Sequence, residues 1–339
     1  MKEKKTAKTR YEELKTMVPK EIREEFEQME AGIRVPPLYE DRPFKRIFDP
    51  DMHRDRDTKL FQLIYHKQAE VLHSLKEEGS KASIYSKKTI LDILARLSNQ
   101  GLCDFEMQVT AQEFIVQRMD VYASDLMMMQ YSIRKGEKKK EFQFSDMADT
   151  YCVVFMKHSP NIFKDHTSFI HYKQEITDTG ITLKSFIHIV YIELDKCLEQ
   201  VTNNTYPKEQ EELCFWLVLM ADINSDTAKK VLKENPEMAE IYLELGTMSK
   251  DREEMAEMLL EKYDETVRYS ELNQAKNEGK AEGKAEGKAE DIIEILEEYG
   301  TVPESVRNAI FSQPDLCVLK KWLKIAAKID SIEKFIKQM

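Results

Sequence analysis

The sequence predicts an α/β fold with a central mixed sheet flanked by helices, followed by an α-helical C-terminal region. Three observations predict it. Apolar residues recur at helical spacing up to about residue 78; period-two alternation and short apolar runs dominate from 89 to 194; after 208 only helical patterns remain. At 339 residues and 42% hydrophobic, the chain can bury a full core.

Residues 1–37 are charged and helix-prone and stop at Pro36-Pro37, which predicts a leader or arm. In the next stretch Phe44, Ile47 and Phe48, then Leu60, Leu63, Ile64, Val71 and Leu75, predict helices ahead of the first strands. Thr89–Leu97 and Leu102–Val109 alternate with period two around Ser98-Asn-Gln-Gly101, the pattern of a β-hairpin. Ile115, Met119, Tyr122, Leu126, Met129 and Ile133 repeat in steps of four and three, one apolar face of a long helix ending near Gly136. The apolar runs Tyr151–Met156 and Phe186–Leu194 predict buried strands. These boundaries divide the chain into a leader (1–37), an α/β core (38–207), a helical region (208–276), a Glu-Gly-Lys-Ala repeat (277–290) and a C-terminal helical segment (291–339). The repeat's glycines each cost a helix roughly 1 kcal/mol relative to alanine, so it is expected as a marginal solvated helix or linker.

Composition narrows the function classes. With a net charge of -11, a nucleic-acid partner has to be held by local basic clusters, which argues against indiscriminate coating of DNA. Cys103, Cys152, Cys197, Cys214 and Cys317 are scattered with no C-x-x-C spacing, so neither a zinc site nor a disulfide framework is expected and a reducing cytoplasm fits. No apolar stretch reaches 18 residues and no apolar segment follows Met1-Lys-Glu-Lys-Lys5, so no membrane association and a cytoplasmic location are expected. The histidines lack metal-ligand spacing, and Trp216, Trp322 and Met127-Met128-Met129 read as packing residues.

The chemistry concentrates on the hairpin. In its second strand Asp104, Glu106 and Gln108 share one face and Cys103, Phe105, Met107 and Val109 the other, which points the polar face at solvent or a ligand. If Asn99-Gln100-Gly101 forms a three-residue loop with Gly101 left-handed, Asp92 falls opposite Gln108 and diagonal to Glu106. Opposite side chains lie roughly 5 Å apart and diagonal ones roughly 7 Å, within reach of a shared octahedral cation. One reading is a magnesium site in which Asp92 and Glu106 hold the metal and Gln108 orients a water. The other is an exposed hairpin with an acidic face. Spacing alone leaves both open.

Taken together, these residues resemble the PD-(D/E)XK nuclease superfamily, and within it the Rpn-type recombination-promoting nuclease and transposase family. Asp92 followed by Glu106-x-Gln108 resembles its core motif; Asp41-Arg-Pro-Phe44-Lys45 with Ile47-Phe48 resembles its opening segment. Arg118 with Tyr122, Ile192-Glu193-Leu194-Asp195-Lys196 and the Glu-Gly-Lys-Ala tail follow in the family's order, covering roughly residues 38 to 290. The resemblance implies a restriction-endonuclease-like core and a magnesium-dependent DNA endonuclease, with manganese the alternative metal, acting in recombination or transposition. It casts Asp92 and Glu106 as catalytic metal ligands, Gln108 as their support and Arg118 as a phosphate contact. Gln108 stands where the broader superfamily carries lysine, as it does within the resembling family, and Asp195 replaces an expected proline.

Asp41 reads either as an acid lent to the site by the first core helix or as that helix's N-cap. Lys138, Lys139 and Lys140 could neutralise a DNA backbone or form a solvated loop, and Arg118 could make an internal salt bridge instead of binding phosphate. Two other classes remain: a nuclease-fold protein that binds DNA or a protein without cutting, and an interaction protein whose helical C-terminal region recruits a partner or a second copy.

Overall fold

A computed structural model describes residues 7–75 and 92–339. They divide into two compact units, Met1–Met258 and Leu259–Met339. The first opens with α1 (Ala7–Met17) and α2 (Lys20–Glu30), then α3 (Asp41–Ile47), α4 (Arg54–Tyr65), β1 (Val71–Ser74), β2 (Ile93–Leu97), β3 (Leu102–Thr110) and α5 (Ile115–Lys138). After α5 come β4 (Thr150–His158), α6 (Asn161–Lys164), β5 (Ile170–Tyr172), β6 (Ile187–Glu193) and α7 (Leu194–Thr202). Helices α8 (Glu211–Asp222), α9 (Asp226–Glu234), α10 (Pro236–Met248) and α11 (Arg252–Glu297) follow.

Among the described residues six strands form one mixed sheet in the order β1-β2-β3-β4-β6-β5. The β1–β2, β2–β3 and β5–β6 pairs are antiparallel, whereas β3, β4 and β6 run parallel. Parallel neighbours need a crossover, and the 24-residue α5 supplies the one between β3 and β4. Its stripe Ile115, Met119, Ala123, Leu126 and Met129 covers the sheet face made by Leu102, Cys152, Val154, Met156, Ile189 and Tyr191. The opposite face is aromatic. Phe155 lies 6.1 Å from Phe105 and 6.0 Å from Phe44, Tyr151 lies 5.0 Å from Phe61 of α4, and Phe48 lies 6.2 Å from Trp216 of α8 (ring centroids). Helices thus cover both faces, which the continuous apolar runs of β4 and β6 require.

Residues 7–37 pack against the rest of the first unit. Tyr11, Leu14, Val18, Phe26, Met29 and Val35 are buried, and Arg10 and Arg42 both pair with Glu257. This amphipathic leader is therefore part of the first unit, as is the helical region up to Met258. The repeat Glu278–Glu290 lies within α11; its glycines are helical, with nothing within 4 Å of where a Cβ would stand. In the second unit Ile292, Ile293 and Leu296 of α11 pack with Val306 and Ile310 of α12 (Glu304–Phe311), Leu319 and Trp322 of α13 (Leu316–Ala326) and Phe335 of α14 (Ile332–Ile336). No helix among the described residues is long and apolar enough to cross a membrane.

The hairpin turn departs from expectation. Leu97 and Gly101 close it through Leu97 N–H to Gly101 O at 2.9 Å, and the left-handed residue is Gln100, with φ +69°. Gly101 serves a different need: a Cβ there would stand 2.6 Å from the backbone oxygen of Asp149, just ahead of β4. Gly101→Ala is therefore expected to cost about 1–3 kcal/mol, read as a lowered urea midpoint at unchanged slope. Thr89, Ile90 and Leu91 of the expected first strand lie outside the described residues.

Candidate functional site

With the turn fixed as it is, β2 and β3 pair Ile93 with Phe105, Leu94 with Asp104 and Ala95 with Cys103. Continuing that register by one residue sets Asp92 opposite Glu106, not opposite Gln108 as expected. The two-residue correction brings the two acids nearer. Asp92 stands just ahead of β2, and its Oδ2 accepts the backbone N–H of Met107 at 2.9 Å.

The polar face of β3 does not meet solvent. Asp104 is fully buried and Glu106 is 1% exposed, because α5 lies over them as well as over the apolar rows. Glu106 Oε1 accepts hydrogen bonds from Gln108 Nε2 at 2.9 Å and Arg118 Nη2 at 3.1 Å. Arg118 Nη1 donates to Gln108 Oε1 at 3.0 Å, so one planar guanidinium ties both side chains of the motif together. Tyr122, one helical turn on, holds that guanidinium: its hydroxyl accepts from Nε at 2.9 Å and its ring centroid lies 5.0 Å from the Arg118 carbon. Arg118 thus makes an internal salt bridge to a neighbouring acid, Glu106.

From the other side α3 contributes Lys45. Its Nζ lies 3.2 Å from Asp92 Oδ1 and 2.5 Å from Asp41 Oδ1. Asp41 is the first helical residue and Glu40 the capping position, so Asp41 is not the N-cap; it reaches the site through Lys45. Sequence reasoning gave no site role to Lys45, Tyr122 or Asp104. The signals were present: Lys45 is four residues from Asp41, Tyr122 four from Arg118, and Asp104 shares Glu106's parity on β3.

The electrostatics follow from burial. Desolvation, then the charge of Asp92, pushes the Glu106 carboxyl up to about 8, with Arg118 and Lys45 opposing. Asp104 is raised well above the carboxylate range by burial, then by Glu106 and Asp92. Burial also raises Asp92, against Lys45 and the Met107 amide. For Lys45 burial disfavours the charge, yet its bonds to Asp41 and Asp92 hold its pKa above the ordinary lysine value.

Both oxygens of Asp104 and Oε2 of Glu106 are buried without a hydrogen-bond partner. Mutually repelling carboxylates with an unpartnered buried oxygen fit a hard divalent cation. Among the described residues no set of three or more His, Cys, Asp or Glu is assembled for a metal. A pair suffices for magnesium, which keeps several waters and is held by one or two carboxylates together with substrate phosphate.

Lys138, Lys139 and Lys140 are not brought to this site. Lys138 ends α5, twenty residues from Arg118 and so about 30 Å along the helix, and Lys139 and Lys140 follow in the next turn. Asp195 lies in the first turn of α7 and takes Lys157 at 2.5 Å and His158 at 2.8 Å, away from the acids. Two cavities of about 810 and 630 Å³, one beside Lys173 and His188 and one beside Lys196 and Asn203, contain none of the site side chains.

Comparison with curated proteins and with solved structures gives no match. A family model, the PD-(D/E)XK nuclease family transposase, matches residues 38–275, which takes in the whole sheet and every side chain of the acid site. The chain therefore belongs to the PD-(D/E)XK nuclease family transposases, whose function is of the nuclease and transposition-related kind and whose implied substrate is DNA.

Proposed function

We propose that this chain is a metal-dependent DNA endonuclease whose chemistry centres on Asp92 and Glu106. The observation that carries the reading is the pair itself: two acids paired across the hairpin, one with a buried unpartnered oxygen, beneath a guanidinium and beside an ammonium. The residues that would hold magnesium, or manganese in its place, are Asp92 and Glu106. Once bound, such a cation neutralises charge on the scissile phosphate and makes water a better nucleophile.

The remaining groups act on substrate and water. Arg118 is about one-third exposed, and its fork suits two oxygens of a phosphate once DNA competes for it. Gln108 carries an amide that both donates and accepts, so it can orient a water without exchanging a proton with it. Lys45 opposes the burial that disfavours the charge of Asp92 and fixes its carboxylate.

The test is nicking of supercoiled plasmid. Cleavage is expected with magnesium or manganese and none in EDTA. Cleavage that persists in EDTA overturns the metal reading. Tight DNA binding without cleavage under any divalent cation favours instead a nuclease-fold protein that binds without cutting. A cytoplasmic location is part of the same proposal, as is recombination or transposition as its setting.

A further inference from the structure

The far end of α5 carries a second feature that the acid site does not use. Tyr131 on the helix, with Phe142 and Phe144 on the turn beyond it, forms an aromatic cluster at the surface. Centroids are 5.3 Å apart for Tyr131–Phe142, 6.4 Å for Tyr131–Phe144 and 5.9 Å for Phe142–Phe144. Tyr131 and Phe144 are nearly coplanar in orientation at 21°, and Phe144 is 75% exposed. The turn is held by reciprocal bonds, Gln143 N–H to the Asp146 carboxylate at 2.9 Å and Asp146 N–H to Gln143 O at 2.9 Å. Phe144 is thereby presented in place before any partner arrives.

The charge around the rings opposes that of the whole chain. Residues 131–146 carry Arg134, Lys135, Lys138, Lys139 and Lys140 against Glu137, Glu141 and Asp146, in a protein of net charge -11. Glu137 is occupied by Arg96 at 2.7 Å and Arg134 at 2.6 Å, and Asp146 pairs with Lys138 at 3.5 Å. Lys135 lies 5.1 Å from the Tyr131 ring centroid, while Lys139 and Lys140 are exposed and have no ion-pair partner among the described residues. Preset rings beside uncommitted ammonium groups are the combination that grips unpaired nucleotides: bases stack on the rings and phosphates meet the lysines. A duplex keeps its base faces stacked on one another and cannot use the rings.

We propose that Tyr131, Phe142 and Phe144, with Lys135, Lys139 and Lys140, form a docking surface for single-stranded nucleic acid, separate from the acid site. Tyr131 stands thirteen residues from Arg118, about 20 Å along α5, a distance that corresponds to roughly six stacked nucleotides. Binding there needs neither a metal nor cleavage, so it stands or falls independently of the endonuclease reading.

The test is fluorescence anisotropy in EDTA with labelled dT20, rU20 and a 20-base-pair duplex. Single strands are expected to bind at least about 10-fold more tightly than the duplex, and dT20 against rU20 distinguishes DNA from RNA as the source. Phe144→Ala should weaken single-strand binding about 10-fold and Phe144→Trp should retain it, since stacking tolerates any ring. Lys139→Gln with Lys140→Gln should reduce the slope of log K against log salt by roughly 1.4. Equal duplex binding, or Phe144→Ala binding within twofold of wild type, overturns the proposal. So does a dimer in sedimentation that Phe144→Ala converts to monomer, because a second copy then covers the rings.

Discussion

Glu106→Gln is expected to reduce DNA cleavage by at least about 1,000-fold while raising the melting temperature of the metal-free protein at pH 8. The first effect follows from the loss of one of two carboxylates that can bind a cation; forfeiting ~4 kcal/mol of transition-state stabilisation corresponds to about three powers of ten. The second follows from burial. Glu106 is 1% exposed, its Oε2 has no partner, and Asp92 and Asp104 repel its charge. Glutamine keeps the shape and leaves an oxygen for Arg118, but removes a charge that folding must strip of water. A side chain present only for stability would lose or keep both properties together; opposite signs in plasmid nicking and calorimetry separate the roles. A variant that cuts as well as wild type removes Glu106 from the chemistry. An unchanged or lowered melting temperature removes the claim that its charge strains the fold.

Where local pattern and tertiary environment agree, the sequence was sufficient. The four-and-three spacing from Ile115 to Met129 reports a helix because one side of α5 is apolar and the other meets solvent, and the burial of Ile115, Met119, Leu126 and Met129 follows. The alternation of Cys103 to Gln108 also reports a strand, and it predicts a polar face turned to solvent or a ligand. In β3 both faces are covered, the polar one by a helix that comes later in the chain and supplies Arg118 against the acids. Two-residue periodicity carries no information about such a cover. The register error has a similarly distant cause. A glycine at a hairpin is read as the left-handed residue, whereas Gly101 makes room for Asp149, 48 positions on, and Gln100 takes the positive φ. Lys45 was visible as part of an opening motif, but its contact with Asp92 spans 47 positions that no local rule connects.

The same buried carboxylates set an expected pH dependence. Glu106 moves from an ordinary value of 4.5 to about 8 in the folded protein, and Asp104 is shifted in the same direction. A folded-state pKa above the unfolded one means that the folded protein binds the proton more tightly. Stability from this group is therefore fully present below pH ~4.5 and is lost progressively as pH rises towards ~8, after which no further loss accrues from it. Metal-free protein should show this loss between about pH 5 and pH 8, a range in which ordinary Asp and Glu are already ionised. Glu106→Gln should flatten the dependence, because it removes Glu106's own titration and the largest charge acting on Asp104. Saturating magnesium should also flatten it, since a cation that binds only the ionised, folded pair stabilises most where the proton has left. The measurement is a urea-denaturation series at fixed ionic strength with EDTA or magnesium, for wild type and Glu106→Gln. A wild-type profile that is flat from pH 5 to 8 in EDTA would contradict the buried-charge account. If the slope is present but magnesium does not alter it, the acids are strained as described and do not capture the cation. The denaturation series thus reads cation capture by the acids independently of any nuclease assay.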